Sequence, residues 1–273
     1  SRGGRFQITD GVGCEACHGG GGKWLESHAE KQTTHADNVA KGMYPTEEPM
    51  DRARLCLSCH LGTRDKFATH RIMGAGHPRL TFDLEVFTDM QPRHYKVDND
   101  YKDRKKAIPS VNMWLAGLLV SSLQTMELLQ SELFTRDTPT PELSFYQCYT
   151  CHRTLHPLHP TDELQWQAEG GTAALPPGSL RLNDASLVVL QSVLQILQPK
   201  LAREIESSIN ALHTASMTDR AAVVAQAKKL HTSLSSLENT LINRDYSNEQ
   251  IKALRKGLVN RSAKGRFRHF IAA

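Results

Sequence analysis

No long apolar run occurs in these 273 residues. The longest, Met113 to Leu123, is broken by Ser121 and Ser122 and falls well short of the roughly 20 residues that cross a bilayer. It reads as the core face of a helix, and no membrane span is expected. Mean hydropathy is negative, as in a soluble chain. Ser1-Arg2-Gly3-Gly4-Arg5-Phe6 has neither an initiator Met nor the apolar stretch of a secretory signal, so a mature, processed or truncated product is expected. A large excess of one charge is missing too: the formal net charge is +4, which gives no ground for nucleic-acid binding. The basic tail Arg261, Lys264, Arg266 and Arg268 reads as solvated rather than as a patch for an acidic partner.

Nor is there any cysteine to spare. All six fall in one repeated pattern: Cys14-Glu-Ala-Cys17-His18, Cys56-Leu-Ser-Cys59-His60 and Cys148-Tyr-Thr-Cys151-His152. Zinc sites need two such pairs together or a downstream His pair, a thioredoxin-like redox pair needs a βαβ context, and a disulfide framework has no reason to place His after every second Cys. Cys-x-x-Cys-His is instead the pattern of c-type haem attachment. Its two thiols add to the two vinyl groups of one porphyrin, and the next residue holds the iron as proximal ligand. The expected cofactor is therefore haem c, three copies, covalently bound through Cys14, Cys17, Cys56, Cys59, Cys148 and Cys151, with His18, His60 and His152 on the irons. Six propionate charges against three ferric cores would bring the net charge to about +1. Attachment of this kind takes place outside the bacterial cytoplasm, so a periplasmic or extracellular location is expected.

Thirteen histidines less three proximal ones leave ten, more than the three that bis-His ligation needs. The seven Met do not gather near the motifs, so mostly bis-His, low-potential haems are expected. His28, just past the first motif, is one distal candidate. His70 and His77 flank Arg71-Ile72-Met73-Gly74-Ala75-Gly76, where small residues let backbone approach a flat ring and Pro78 stiffens the turn; both are distal candidates. His94, between Arg93 and Tyr95, is balanced between ligand and surface residue, and His35 is weaker. His156 and His159 lie in a Pro-rich loop where they would ligate or merely cover the third haem. His213 and His231 sit in helical patterns, where a structural role is expected. Arg71, Arg79 and Arg93 are candidate propionate partners.

Gly11-Val12-Gly13-Cys14-Glu15-Ala16-Cys17-His18-Gly19, with a His some ten residues on, resembles the third haem segment of the cytochrome c-554 family of multihaem cytochromes. Cys56 to Leu84, with Gly74-Ala75-Gly76-His77-Pro78-Arg79-Leu80, and Gln147-Cys148-Tyr149-Thr150-Cys151-His152 are similar to related multihaem proteins. The resemblance covers roughly residues 8–168. It implies that His18, His60 and His152 are proximal ligands, that His28 is a distal ligand to a haem other than the one on Cys14/Cys17, and that His70 or His77 serves another. Family members usually carry one or two motifs ahead of this segment, whereas only Ser1–Asp10 precede the Gly-Val-Gly-Cys run here. The resemblance therefore implies a trimmed lineage or part of a longer protein, with a missing segment or neighbouring chain supplying a ligand.

The expected fold is mainly α: a loop-rich multihaem cytochrome c core with a C-terminal helical bundle. Residues 1–168 would form the trihaem domain, with two haems in 1–105 and the third at 148–152; residues 180–260 the bundle; and 261–273 the basic tail. A helix is predicted from about Pro109 to Leu133, with Val111, Trp114, Leu115, Leu118, Leu119, Met126 and Leu129 on one face. Pro139 and Pro141 close it off. Gly170 to Gly178 reads as a linker. Beyond it, Asp184 and Thr218 are predicted helix caps, Pro199 a helix start, and Ser247 with Gln250 a capping box. The function expected is electron transfer between redox partner proteins, the chain not being an enzyme, with other haem-bearing chains or copies of itself as further partners. The alternatives are a subunit of a multihaem filament or redox complex, or an oxidoreductase of small nitrogen or sulfur compounds if one haem has an open distal site.

Overall fold

The computed structural model describes residues 7, 9, 11–92, 94–105, 107–148, 151–152, 175 and 179–267. His156, His159, Arg93, Arg268 and nearly all of the expected linker lie outside them. The protein is mainly helical; the described residues hold no sheet, only isolated bridges between Thr63 and Lys66 and between Tyr146 and Leu182. No helix among them is long and apolar enough to cross a membrane.

The first part of the chain is built from short helices: α1 (Cys14–His18), α2 (His35–Ala40), α3 (Pro49–His60), α4 (His70–Gly74), α5 (Leu84–Met90) and α6 (Asn99–Arg104). Local hydrogen bonds start most of them. Thr34, Thr69, Asp83 and Asp98 each accept a backbone N–H two or three residues into the helix they precede, which satisfies donors that the first turn leaves open. No side chain of helices α1, α4 and α6 is fully buried. Among the described residues up to 105, the buried apolar side chains are Trp24, Met50, Ala53, Leu57 and Leu84.

Everything after that is different. Helix α7 (Ser110–Leu128) enters from Pro109, and its Met113, Leu115, Ala116, Leu119, Val120 and Met126 are buried. Val111, Trp114 and Leu123, partly buried, pack against the same core. A single apolar face was too narrow an expectation: α3, α5 and the later 185–197 and 220–235 helices all pack on this helix, and an element covered from several sides is apolar nearly all round. It ends at Leu128, short of the predicted Leu133, because the Ser131 hydroxyl and backbone N–H both turn back onto the Leu128 carbonyl. The one-turn α8 (Glu132–Thr135) follows.

Helices α9 (Ala185–Leu197), α10 (Pro199–Ser216), α11 (Arg220–Ser235) and α12 (Asn248–Ala263) complete the fold. In α10 the buried Ala202, Ile205, Ile209 and Leu212 recur at helical spacing and leave Lys200, Arg203 and Glu204 outside, which is the amphipathic pattern of a helix resting on a core. Pro199 occupies its first turn as predicted, a place where a missing N–H costs nothing. The capping box of Ser247 and Gln250 forms with both reciprocal hydrogen bonds. Two predicted caps differ. Asp219, one residue past Thr218, caps α11 through the Ala222 N–H at 2.7 Å, a carboxylate being the stronger acceptor for a helix start. Asp184 stands at the start of α9, but its carboxylate turns inward to accept from Arg181 at 2.8 Å and to meet the His213 ring at 2.7 Å.

The apolar core runs continuously from Met50, Ala53 and Leu57 of α3 through α7 to Leu254 of α12. A close crossing is where α5 meets α7: a Cβ added at Gly117 would stand 2.7 Å from the Leu84 Cβ. Replacing Gly117 by Val should therefore force the two helices apart and cost about 1–3 kcal/mol. A denaturant midpoint unchanged by G117V would show that the crossing is looser than this.

Candidate haem-attachment sites

The chemistry-bearing pattern gains its geometry from one turn of helix. In α1, Cys14, Cys17 and His18 stand at i, i+3 and i+4, and residues at those spacings share one face. Two thiols and an imidazole thus project on the same side. Gly13 precedes the turn, and Gly19 ends it at φ +75°. The second motif repeats this at the C-terminal end of α3, with Cys56, Cys59 and His60 in the last turn and a half. In the third, the His152 N–H donates to the Cys148 carbonyl at 2.7 Å, again a helical turn. None of the six cysteines is in a disulfide; Cys14, Cys59, Cys148 and Cys151 are exposed, and Cys17 and Cys56 are half-buried.

The end of α3 is held with particular care. The Leu61 and Gly62 N–H groups both donate to the Leu57 carbonyl. Gly62 has φ +103°, and a Cβ there would fall 2.5 Å from the Lys66 carbonyl oxygen, so only glycine fits the turn. From the core side, the Gln124 side-chain amide of α7 donates to the carbonyls of both Leu57 and Gly62. The second motif is thereby fastened directly to the central helix.

The other candidate residues fall around these turns. The His18 and His94 rings lie 5.9 Å apart, at 82° to each other. Burial holds His18 below the usual histidine range; His94 and Lys105 push it further down, while Glu47 works against them. Beside it a cavity of about 460 Å³ is lined by His35, Glu47, Arg104, Lys105, Asn112 and Arg244, and His35 is engaged with Glu47. His60 stacks on Phe82 at 4.5 Å and meets Phe87 at 5.6 Å. Burial pushes the Cys56 thiol up, and the Cys17 thiol adds to the rise; Tyr44 makes the first two motifs neighbours, donating its backbone N–H to the His18 carbonyl and its hydroxyl to the Asp51 carbonyl of α3. His70 stands 6.0 Å from His152, with ring planes 28° apart. Its backbone N–H donates to Glu142 at 2.6 Å, and Arg79 reaches the Cys148 sulfur at 2.7 Å.

His28 and His77 are exposed; in each, Nδ1 faces a backbone carbonyl, of Leu25 and Pro78 respectively. That arrangement leaves Nε2 outward, as a metal-ligating imidazole requires. His28 packs against Trp24. His213 is buried on Asp184, and His231 meets Glu127 at 3.1 Å, which are structural roles within the bundle. Arg71 is exposed.

No group of three or more His, Cys, Asp or Glu side chains with metal-holding geometry occurs among the described residues. Each motif offers two thiols and one imidazole, and among the described residues no further His, Cys, Asp or Glu joins them in a metal-holding group. This donor set suits a ring that takes two thioethers and one axial nitrogen, and it does not make a four-ligand zinc site.

No family model, curated protein or solved structure matches the chain.

The role of Gln124 is open to a direct check. Gln124→Ala leaves the Leu57 and Gly62 carbonyls without their core-side donor and should cost about 1–3 kcal/mol. Hydrogen exchange should then quicken at Leu61 and Gly62 before it quickens in the 199–216 helix.

Proposed function

We propose that this chain is a trihaem c-type cytochrome that passes electrons between redox partner proteins. The observation that carries the reading is the confinement of every cysteine to Cys-x-x-Cys-His, with the first two thiol couples and their histidines each on one helical turn and the His152 N–H donating to the Cys148 carbonyl in the third. When bound, haem supplies one-electron redox chemistry. The chain's part is to hold the rings and set their environment: Cys14/Cys17, Cys56/Cys59 and Cys148/Cys151 attach them, and His18, His60 and His152 give the proximal nitrogens.

A second feature agrees. Among the described residues 11–105 few apolar side chains are fully buried, little to set against the entropy of ordering so many residues. Apolar side chains also stand in the open near the motifs: Val12 is 84% exposed and Met90 74%, with Leu25, Ile72 and Val86 also uncovered. Porphyrin faces would cover such residues, and thioethers would cross-link the short helices that carry the motifs. Arg79, whose guanidinium donates to the Cys148 sulfur, would meet a propionate or cover a thioether edge of the third ring. Mostly bis-His ligation and low potentials follow from the supply of imidazoles. The reading carries a periplasmic or extracellular location, because thioether attachment takes place outside the bacterial cytoplasm. Other haem-bearing chains or further copies of this one are natural partners.

Intact-mass spectrometry of protein made in a host with the attachment machinery should return the polypeptide plus three haems. The double variant Cys14→Ala/Cys17→Ala should carry two. A mass equal to the bare polypeptide would end the proposal.

A further inference from the structure

Resting on the trihaem reading, we infer that His94 is the distal ligand opposite His18 on the first haem, and that His70 is the distal ligand opposite His152 on the third. An imidazole nitrogen stands about 2 Å from a metal and its ring centre about 1 Å beyond, so two imidazoles on opposite faces of one iron have centroids about 6 Å apart. The His18–His94 and His70–His152 separations are 5.9 and 6.0 Å. Rotation about the nitrogen–iron–nitrogen axis leaves that separation unchanged, so ring planes at 82° and at 28° suit it equally.

An ordinary aromatic contact also spans such distances, and three further observations separate the two. First, each pair consists of a proximal histidine and a histidine from a remote part of the chain, 18 with 94 and 70 with 152; chance ring contacts have no reason to select the motif residue twice. Second, His70, His94 and His152 are exposed and His18 only half-buried, so ring packing by itself gains little there. Third, the partner segments are held in place. The His70 N–H is fixed by Glu142, the same stretch returns Arg79 to Cys148, and His94 leans on Tyr95, which stacks on Tyr101 of α6. His28, by contrast, packs on Trp24, and His60 has Phe82 and Phe87 beside it.

The assignment has a consequence for the relay. His60 and His70 are joined by a single short segment that starts at the second motif, so the proximal ligand of the second haem and the distal ligand of the third belong to one stretch of chain.

Electron paramagnetic resonance of the oxidised, fully loaded protein tests this. His94→Ala and His70→Ala should each remove about a third of the low-spin iron and yield a high-spin signal, and together they should remove about two thirds. In the Cys14→Ala/Cys17→Ala background, H94A should change nothing more, while H70A still converts one haem. His94→Met and His70→Met keep a sixth ligand, so they guard against poor loading of the alanine variants. Each should raise the potential of one haem and bring in a methionine-to-iron charge-transfer band. Three haems by mass with the low-spin signal intact in H94A or H70A, or no such band in the loaded Met variants, would overturn the ligand assignment and leave the trihaem reading standing. A protein without haem would remove both.

Discussion

The burial of the 110–128 helix on several sides is the constraint from which the rest of the molecule takes its position. It is not an amphipathic helix laid on a surface. Met113, Leu115, Ala116, Leu119, Val120 and Met126 are all covered, and helices from both halves of the chain pack on it. Because interiors are close-packed, anything resting on such an element inherits its rigidity. The second Cys-x-x-Cys-His motif is the main beneficiary: α3 lies along this helix, and Gln124 grips the carbonyls at its end. Leu84, pressed against Gly117, fixes the neighbouring segment that sets Phe82 and Phe87 beside His60.

Away from that helix the balance of forces changes. The bundle from 185 onward is held by apolar burial, with Leu190, Ile209, Leu230 and Leu234 fully enclosed. The motif-bearing part relies on caps, tight turns and a few side-chain bridges between segments, such as Glu142 to His70 and Arg79 to Cys148. Interactions of this kind at the surface contribute little each. A covalently attached ring joining several short helices is the physical complement such a scaffold calls for, and the proposed haems would supply it. The asymmetry also divides the labour: a rigid bundle supports one motif from below, while the other two motifs are approached by chain segments distant in sequence.

Some of this was legible in the order of residues. Cys-x-x-Cys-His is a local pattern, and a single helical turn converts it into two thiols and an imidazole on one face without help from the rest of the chain. Pro199 and the Ser247–Gln250 box were equally local and form as expected. Asp184 shows where local reasoning ends: it holds a cap position, yet the buried His213 ring, brought from α10, draws its carboxylate inward. His94 shows the same limit from the opposite side. Pro92-Arg93-His94-Tyr95 leaves it balanced between ligand and surface residue, and what singles it out is the ring it meets.

By itself, then, the sequence determined the helical character of the chain and the residues proposed to attach a haem, because turn geometry, caps and thiol–imidazole spacing act over four or five residues. The tertiary structure alone decided how deeply the 110–128 helix is enclosed, that the first two motifs are neighbours, and which histidines face His18 and His152. Those are meetings between segments far apart along the chain, and they depend on how the whole core packs rather than on any short run of residues.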